Sequence, residues 1–348
     1  MATKKAVSSD ILNIVPIDLS KTCLKTDSLK GEVAVITGAA SNVGLGYARA
    51  FAWAGAKVVI ADLNEKAGAE AERVINEENG EDCALFVRTD VTSEADVKNL
   101  AAKAFEKFGK VDLLINNAMN MRLNGPILSS PVSDLESSFA ISAKGVMLAI
   151  KEFVPAMIER GHGVVTYSAT QFHYAPPMVG GSIYTAGKAA ATSVIMSLAN
   201  EVRGKGVYVF CLTPAGVGRI DFSKFKMPAD MPAPPADMPA PPAPPAGAPK
   251  MDPSKMPKMD MSKMFAMPGF DSMVPPEAGG AGMVYSVLHA EELHGSGITI
   301  HDALAAMDFP YPHPETIRKA PEGAPAAHRL SDMELTMIFC NMGPGFKK

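Results

Sequence analysis

Residues 30–64 constrain the fold of this chain more than any other stretch. Residues 33–36 form a short apolar run rich in β-branched side chains, which is typical of a buried parallel strand. A small, glycine-rich turn and an alanine-rich helical segment follow over residues 37–54, and residues 58–61 indicate a second buried strand, closed by Asp62. This order predicts a βαβ unit with a glycine turn after its first strand and an acid after its second.

Such a unit has a specific chemistry. The turn lets backbone N–H groups and a helix N-terminus face a pyrophosphate, where the helix dipole favours negative charge. The acid, Asp62, would accept hydrogen bonds from the hydroxyls of an adenine ribose. A glycine turn alone is a weak signal, whereas strand, turn, helix, strand and acid in this order make a strong one.

Composition narrows the class of protein. The 348 residues carry a net charge of −4, so no basic bias points to nucleic acid. The four cysteines are widely spaced, which argues against a disulfide framework or a structural zinc site and fits a reducing cytoplasm. We expect no signal peptide and no membrane span, because no apolar run is long enough for either.

The rest of the chain alternates strand and helix patterns. Further strands are expected at residues 83–87, 111–115, 164–167, 207–212 and 297–300. The alternation predicts an α/β fold, a doubly wound parallel sheet (Rossmann fold) of about seven strands with helices on both faces. Long helical patterns cover residues 135–160 and 184–203 between these strands. The ligand crevice of such a sheet lies at the carboxyl ends of its strands.

Three segments depart from this alternation. Residues 1–29 carry an apolar patch and are expected to form an arm packed on the domain or on a partner subunit. The main domain, residues 30–303, is interrupted at 220–276 by a segment dominated by proline and methionine. That segment could be a soft-metal site, an apolar lid or, our preferred interpretation, an insertion without chemistry. Residues 304–348 form a C-terminal extension.

Four motifs, three after strands and one in the helical segment 184–203, together resemble one family, the short-chain dehydrogenase/reductases, over about residues 30–302. Thr-Gly-x3-Asn-x-Gly at 37–44 is similar to the family's glycine turn, with Asn42 at its middle glycine. Asn-Asn-Ala-Met at 116–119 resembles Asn-Asn-Ala-Gly. Tyr-x3-Lys at 184–188 matches fully, and Pro-Ala-Gly-Val at 214–217 resembles Pro-Gly-x-Val.

The resemblance implies that Tyr184 is the general acid/base for alcohol–ketone interconversion. A phenol with a pKa near 10 is a poor base at neutral pH. Lys188 lies one helical turn away on the same face. The resemblance implies that its ammonium stabilises the phenolate and bonds the nicotinamide ribose. The alternative, an ordinary exposed helix pair, is less favoured in this context.

The family also uses a hydroxyl that polarises the substrate carbonyl and an asparagine that supports a water chain to the lysine. Ungapped alignment of residues 163–170 puts Thr170 at the hydroxyl position, with spacing one residue longer than usual. The other register puts Ala169 there, and Ser168 is a weaker candidate because adjacent strand residues face opposite ways. Ser142 takes the position of that asparagine. A serine is shorter and need not produce the same helix kink, so the sequence leaves open whether the protein relays protons through a water chain to Lys188.

The resemblance also implies the remaining cofactor contacts. A carboxylate at Asp62 would repel a 2′-phosphate, so NAD(H) is favoured over NADP(H). His173 and Tyr174 either shape the substrate pocket or belong to a surface loop. No metal is expected. The expected cofactor-binding residues are Gly38, Ser41, Asn42, Val43, Gly44, Asp62, Leu63, Asp90, Val91, Asn117, Ala118, Tyr184, Lys188, Pro214 and Val217.

The sequence thus predicts an NAD(H)-dependent oxidoreductase that interconverts a secondary alcohol and a ketone, with Tyr184, Lys188, Thr170 and Ser142 as its catalytic set. The substrate is a small molecule, and the methionine and proline content hints that it is apolar.

The alternative is a weak or inactive member of the family that binds nucleotide or a partner subunit. The departures from the family pattern at Asn42, Met119, Ser142 and Thr170, together with the Pro/Met segment, motivate that alternative. An enoyl reductase fits less well, because that branch spaces tyrosine and lysine more widely. The resemblance also implies a homodimer or homotetramer.

Overall fold

Seven parallel strands form one sheet in the computed structural model. The sheet has the order β3-β2-β1-β4-β5-β6-β7, which confirms the predicted Rossmann fold. The structure describes residues 7–12, 14, 17, 19, 22–120, 123, 127–170, 181–214, 217 and 274–308. The strands are β1 (Val33–Thr37), β2 (Lys57–Asp62), β3 (Ala84–Arg88), β4 (Leu113–Asn116), β5 (Gly163–Ser168), β6 (Val207–Thr213) and β7 (Gly297–Thr299).

Helices cover both faces of the sheet. They are α1 (Asn42–Trp53), α2 (Glu65–Asn79), α3 (Glu94–Phe108), α4 (Val132–Phe139), α5 (Gly145–Arg160), α6 (Ser182–Glu201), α7 (Pro276–Leu288) and α8 (Ile300–Ala306). Successive strand residues face opposite layers. Val35 and Val59 therefore join one buried cluster, and Ile36 and Ile60 join the other. Because both faces are covered, the central positions of most strands are apolar, as the sequence pattern indicated.

Most element boundaries differ from the sequence-based ones by one or two residues, and two of the differences have a clear structural cause. The long helix expected at residues 135–160 is split by a π-helical turn, Ala140–Lys144, between α4 and α5. The last strand ends at Thr299 rather than at 300, because the Thr299 side chain accepts a hydrogen bond from Asp302 N and caps α8. Threonine is a good N-cap residue, which favours a helix start over a longer strand here.

The described part of the N-terminal arm packs on the α1 side of the sheet. Leu12 and Leu19 are buried in the core cluster that contains Ile36 and Ile60. Ser9 Oγ donates a hydrogen bond of 2.5 Å to Glu70 Oε1 of α2. Arg73, also on α2, donates to the Ser8 carbonyl at 3.2 Å. These contacts attach the arm to α2.

The chain leaves the described domain and returns to it at adjoining positions. Val217 and Val274 form an isolated parallel bridge. The Pro/Met segment expected at 220–276 thus has neighbouring ends, and its residues 220–273 lie outside the described part, as do residues 309–348 of the C-terminal extension. Within the described ranges, no helix is both long and apolar enough to cross a membrane.

Candidate active site

The glycine turn lies at the topological switch point of the sheet, where β1 separates β2 from β4. Gly38 has φ of +66°, and a Cβ there would lie 2.9 Å from Ala118 Cα. At Gly44 a Cβ would lie 2.1 Å from the Gly38 carbonyl oxygen, so only glycine allows α1 to begin this close to the turn. Asn42 has φ of 45°, the left-handed conformation that asparagine tolerates best among non-glycine residues.

Asn117 connects the ends of three strands. Its backbone N–H donates to Thr37 Oγ1 at 2.9 Å, and its side-chain Nδ2 donates to the Thr37 carbonyl at 3.1 Å. Ser168 Oγ of β5 donates to Asn117 Oδ1 at 3.0 Å. The Ser168 hydroxyl is therefore committed to Asn117. Ala118, beside it, also donates its N–H to Thr37 Oγ1.

The acids and their neighbours border the same edge of the sheet. Asp62 accepts hydrogen bonds from the N–H groups of Ala40 and Asn64, both at 3.0 Å. Asp90 accepts from the Thr92 N–H and hydroxyl, at 2.9 and 2.8 Å. The expected nucleotide-binding residues Ser41 and Leu63 are exposed, Val43 is partly buried, and Val91 lines a small cavity with Ala118. Asp62 thus couples the glycine turn to the end of β2.

Lys188 lies deep in the site. Its Nζ donates a hydrogen bond of 2.5 Å to the Ser168 carbonyl and lies 4.7 Å from the centre of the Tyr167 ring. The centre of the Tyr184 ring is 5.8 Å away. Burial lowers the pKa of Lys188 to about 7, because the charged amine loses solvation. Among the described residues, no carboxylate forms an ion pair with this amine.

Tyr184 and Thr170 come together across the site. Burial raises the pKa of the Tyr184 phenol, and the nearby Thr170 side chain offsets part of that rise. Ala169 is packed in the apolar core on the α6 side. Of the three positions weighed from the sequence, the structure therefore brings the Thr170 hydroxyl to Tyr184.

Ser142 lies on the π-helical turn and is fully buried. Its hydroxyl contacts the Met119 sulfur at 3.5 Å. The sequence left open whether a serine at this position accompanies a helix kink, and the structure has a π-helical turn at this residue. A π turn widens the backbone locally, and such turns are frequent at functional sites.

The other expected residues are distributed as follows. Pro214 follows β6 and Val217 forms the bridge to Val274, whereas His173 and Tyr174 lie outside the described residues. Sequence reasoning missed Tyr167. Its only signal was that the family alignment has an asparagine at that position.

Three possible metal ligands that are far apart in the sequence lie close together in the fold. Single ligand atoms of Glu32, Asp112 and His162 lie within 4.8 Å of one another, before β1, β4 and β5, at the opposite end of these strands from the glycine turn. Asp112 already pairs with Lys110 at 2.9 Å and with Arg160 at 3.3 Å. These cations compensate its charge.

The chain is similar to known proteins in sequence and in fold. The family model described as short chain dehydrogenase matches residues 32–226. The chain is 33% identical over 190 residues to (21S)-21-acetoxyl-apo-melianone synthase SDR of Melia azedarach, covering 54% of this chain and 68% of that protein. It is 34% identical over 199 residues to an uncharacterized oxidoreductase of Thermotoga maritima, covering 57% and 75%.

Among solved structures, the 3-ketoacyl-(acyl-carrier-protein) reductase from Brucella melitensis complexed with NADH superposes with a TM-score of 0.61. The sequences are 25% identical, and the match covers 78% of this chain and 97% of that one. A family model that matches more than half of the chain, together with a seven-stranded sheet carrying the glycine turn and the Tyr-x3-Lys pair at its carboxyl edge, establishes the identity: the chain belongs to the short-chain dehydrogenase family.

Proposed function

We propose that this protein is an NAD(H)-dependent oxidoreductase that interconverts a secondary alcohol and a ketone. The observation that carries the proposal is the meeting of three groups at the carboxyl edge of the sheet. The Thr170 side chain lies near enough to the Tyr184 phenol to lower its raised pKa, and the Lys188 amine lies 5.8 Å from the centre of the Tyr184 ring. A hydroxyl donor, an acid/base and a cation in one place are what proton transfer to a carbonyl oxygen requires.

The glycine turn fits a dinucleotide. A Cβ at Gly38 or Gly44 would fill the cradle above α1, and Ser41 presents an exposed side chain that makes no capping hydrogen bond to the helix. Backbone N–H groups at this helix start would hold the pyrophosphate. When bound, the nicotinamide donates or accepts the hydride at its C4 atom.

The protein's own residues handle the proton. In alcohol oxidation the Tyr184 phenolate accepts the proton of the substrate hydroxyl while hydride leaves the carbinol carbon. In ketone reduction the phenol returns that proton to the carbonyl oxygen. Thr170 hydrogen-bonds to the same oxygen, and the Lys188 ammonium stabilises the phenolate electrostatically.

Replacement of the phenol hydroxyl tests this assignment. Tyr184→Phe should lower kcat for a screened alcohol or ketone by at least about a hundredfold, because general acid/base catalysis typically contributes that much. NADH binding, followed by nicotinamide fluorescence, should stay close to wild type. Tyr208→Phe on β6 is the matched control, since that ring packs against His294 instead. Full activity of Tyr184→Phe would refute the assignment. If the wild-type protein binds neither NADH nor NADPH, the alternative is favoured, namely an inactive member of the family that binds a partner subunit.

A preference for NAD(H) over NADP(H) is part of the proposal, and Asp62 supports it. Its carboxylate sits at the end of β2 between the N–H groups of Ala40 and Asn64, and a negative charge there repels a 2′-phosphate. Asp62→Asn keeps an acceptor oxygen and removes the charge. We expect the ratio of Kd for NADPH to Kd for NADH to fall at least about tenfold, which corresponds to about 1.4 kcal/mol. An unchanged ratio would contradict the role of this charge.

Three further properties stay proposals. A cytoplasmic location rests on the sparse cysteines, and an apolar substrate on the Pro/Met segment. A homodimer or homotetramer is supported by exposed apolar side chains on the helices after β4, namely Val132 and Phe139 of α4 and Met147 of α5. Sedimentation velocity would measure the assembly directly.

A further inference from the structure

The surroundings of the Lys188 amine are unusual for a charged group. From β5 it faces the Ser168 carbonyl and the Tyr167 ring, from its own helix the Tyr184 ring, and from β6 the Cys211 thiol. Burial raises the pKa of Cys211 to about 12, so that thiol is neutral at physiological pH and supplies no counter-charge. Thr192, one turn further along α6, donates its hydroxyl to the Lys188 carbonyl and not to the amine.

Tyr167 offers the amine its ring rather than its hydroxyl. The side chain is 1% exposed, and its hydroxyl makes no hydrogen bond with any described residue. The Ser142 hydroxyl is near enough to moderate the raised pKa of Tyr167, although its geometry is not that of a hydrogen bond. The distance of 4.7 Å from Nζ to the ring centre lies within the range of a cation–π interaction, which is strongest between desolvated groups.

We propose that Tyr167 is a positioning residue for Lys188, and that its ring face stabilises the buried ammonium beneath Tyr184. The inference rests on the proposed function, in which the charged form of Lys188 stabilises the Tyr184 phenolate. It assigns to an aromatic ring the electrostatic support that a carboxylate gives most buried lysines.

The experiment is a direct titration of Lys188 in the protein without nucleotide or substrate. Lysine labelled with ¹³C at Cε reports the charge of each amine by NMR, and the Lys188 signal is identified by its loss in Lys188→Met. Tyr167→Leu removes the ring and should lower the pKa of Lys188 by about one unit, a tenfold loss of the charged form. Tyr167→Phe keeps the ring face and should leave that pKa within about 0.3 units of wild type.

Activity supplies a second readout. Because the charged amine is the active form, turnover falls as pH rises through the pKa of Lys188. The alkaline limb of the kcat profile should therefore move to lower pH by about one unit in Tyr167→Leu and stay in place in Tyr167→Phe. A purely structural role would lower kcat at every pH without moving the limb.

Either of two results would overturn the proposal. The pKa of Lys188 could stay at its wild-type value in Tyr167→Leu, or it could fall in Tyr167→Phe by as much as in Tyr167→Leu. If Tyr167→Leu does not fold, pentafluorophenylalanine at position 167 keeps the ring shape and reverses its quadrupole, and it should produce the same fall in pKa. Because the titration needs no turnover, a lack of alcohol or ketone activity would count against the proposed function and leave this test intact.

Discussion

The Lys188 amine is buried, with one carbonyl and two aromatic rings around it. Desolvation destabilises its charged form and brings its pKa to about 7, well below that of a lysine in water. An amine that titrates near neutrality changes charge in response to small changes in its surroundings, such as phenolate formation at Tyr184. The same property should make the protein's stability depend on this one residue.

The expected dependence has a definite sign. Between about pH 7.5 and 8.5 the unfolded chain keeps a proton on Lys188 that the folded chain has mostly lost, so the free energy of unfolding should rise with pH. Relative to Lys188→Met, wild type should gain about 1 kcal/mol over that interval. Urea unfolding of both proteins at the two pH values measures the difference. Parallel pH dependences would show that this amine is protonated equally in both states.

At the scale of single residues, the sequence predicts some features of the site and not others. The left-handed backbone at Asn42 follows from the chemistry of one residue and its neighbours. The approach of Tyr167 to Lys188 depends instead on how α6 packs over β5, which motif spacing does not encode. The approach of the Thr170 side chain to Tyr184 was predictable only from one of two alignment registers.

Among the elements, α6 is positioned by its contact with α4 and the π-helical turn. Gly187 makes the close approach possible, because a Cβ there would lie 2.2 Å from Ser138 Oγ and 3.1 Å from Ser142 Oγ. Ser138 is itself fixed, since its hydroxyl donates to the Ile183 carbonyl at 3.0 Å. The spacing between these helices sets where Tyr184 and Lys188 emerge.

Gly187→Ala tests that spacing. Alanine is about 1 kcal/mol better than glycine inside a helix, yet we expect a net loss of about 1–3 kcal/mol, because the methyl group overpacks the contact. Combining it with Ser138→Ala removes the opposing oxygen and should recover part of the loss, a coupling that a double-mutant cycle measures by urea unfolding. If the effects of Gly187→Ala and Ser138→Ala on the free energy of unfolding are additive, the loss in Gly187→Ala does not come from contact with Ser138.

The strands and most helices were predictable because their patterns are local. Continuous apolar runs, Ser93 as the cap of α3 and the glycines that end α2, α3 and α5 all act within a few residues. The π-helical turn was not predictable, since it arises from packing between α4, α5 and α6.

At the scale of the whole molecule, a buried ion network joins three helices that are far apart in the sequence. Arg49 of α1 donates to Glu78 of α2 through Nε at 3.0 Å and through Nη2 at 2.5 Å, and its Nη1 donates to Glu277 of α7 at 2.8 Å. Arg49 is fully buried. Glu277 follows the Pro/Met segment and is 228 positions from Arg49, so no local pattern could have paired them. The network fixes the helix with which the chain returns to the domain.

Breaking this network should cost far more than replacing it. Arg49→Met leaves two buried carboxylates facing each other without a cation, and we expect a loss of about 3–5 kcal/mol in the free energy of unfolding. Glu277→Gln should cost less, because both bonds to Glu78 remain. The triple variant Arg49→Met, Glu78→Leu, Glu277→Leu should recover most of the loss, since an apolar core needs no compensation. Urea unfolding of the three variants ranks these effects. A triple variant no more stable than Arg49→Met would mean that the network gives α7 a position that apolar packing cannot reproduce.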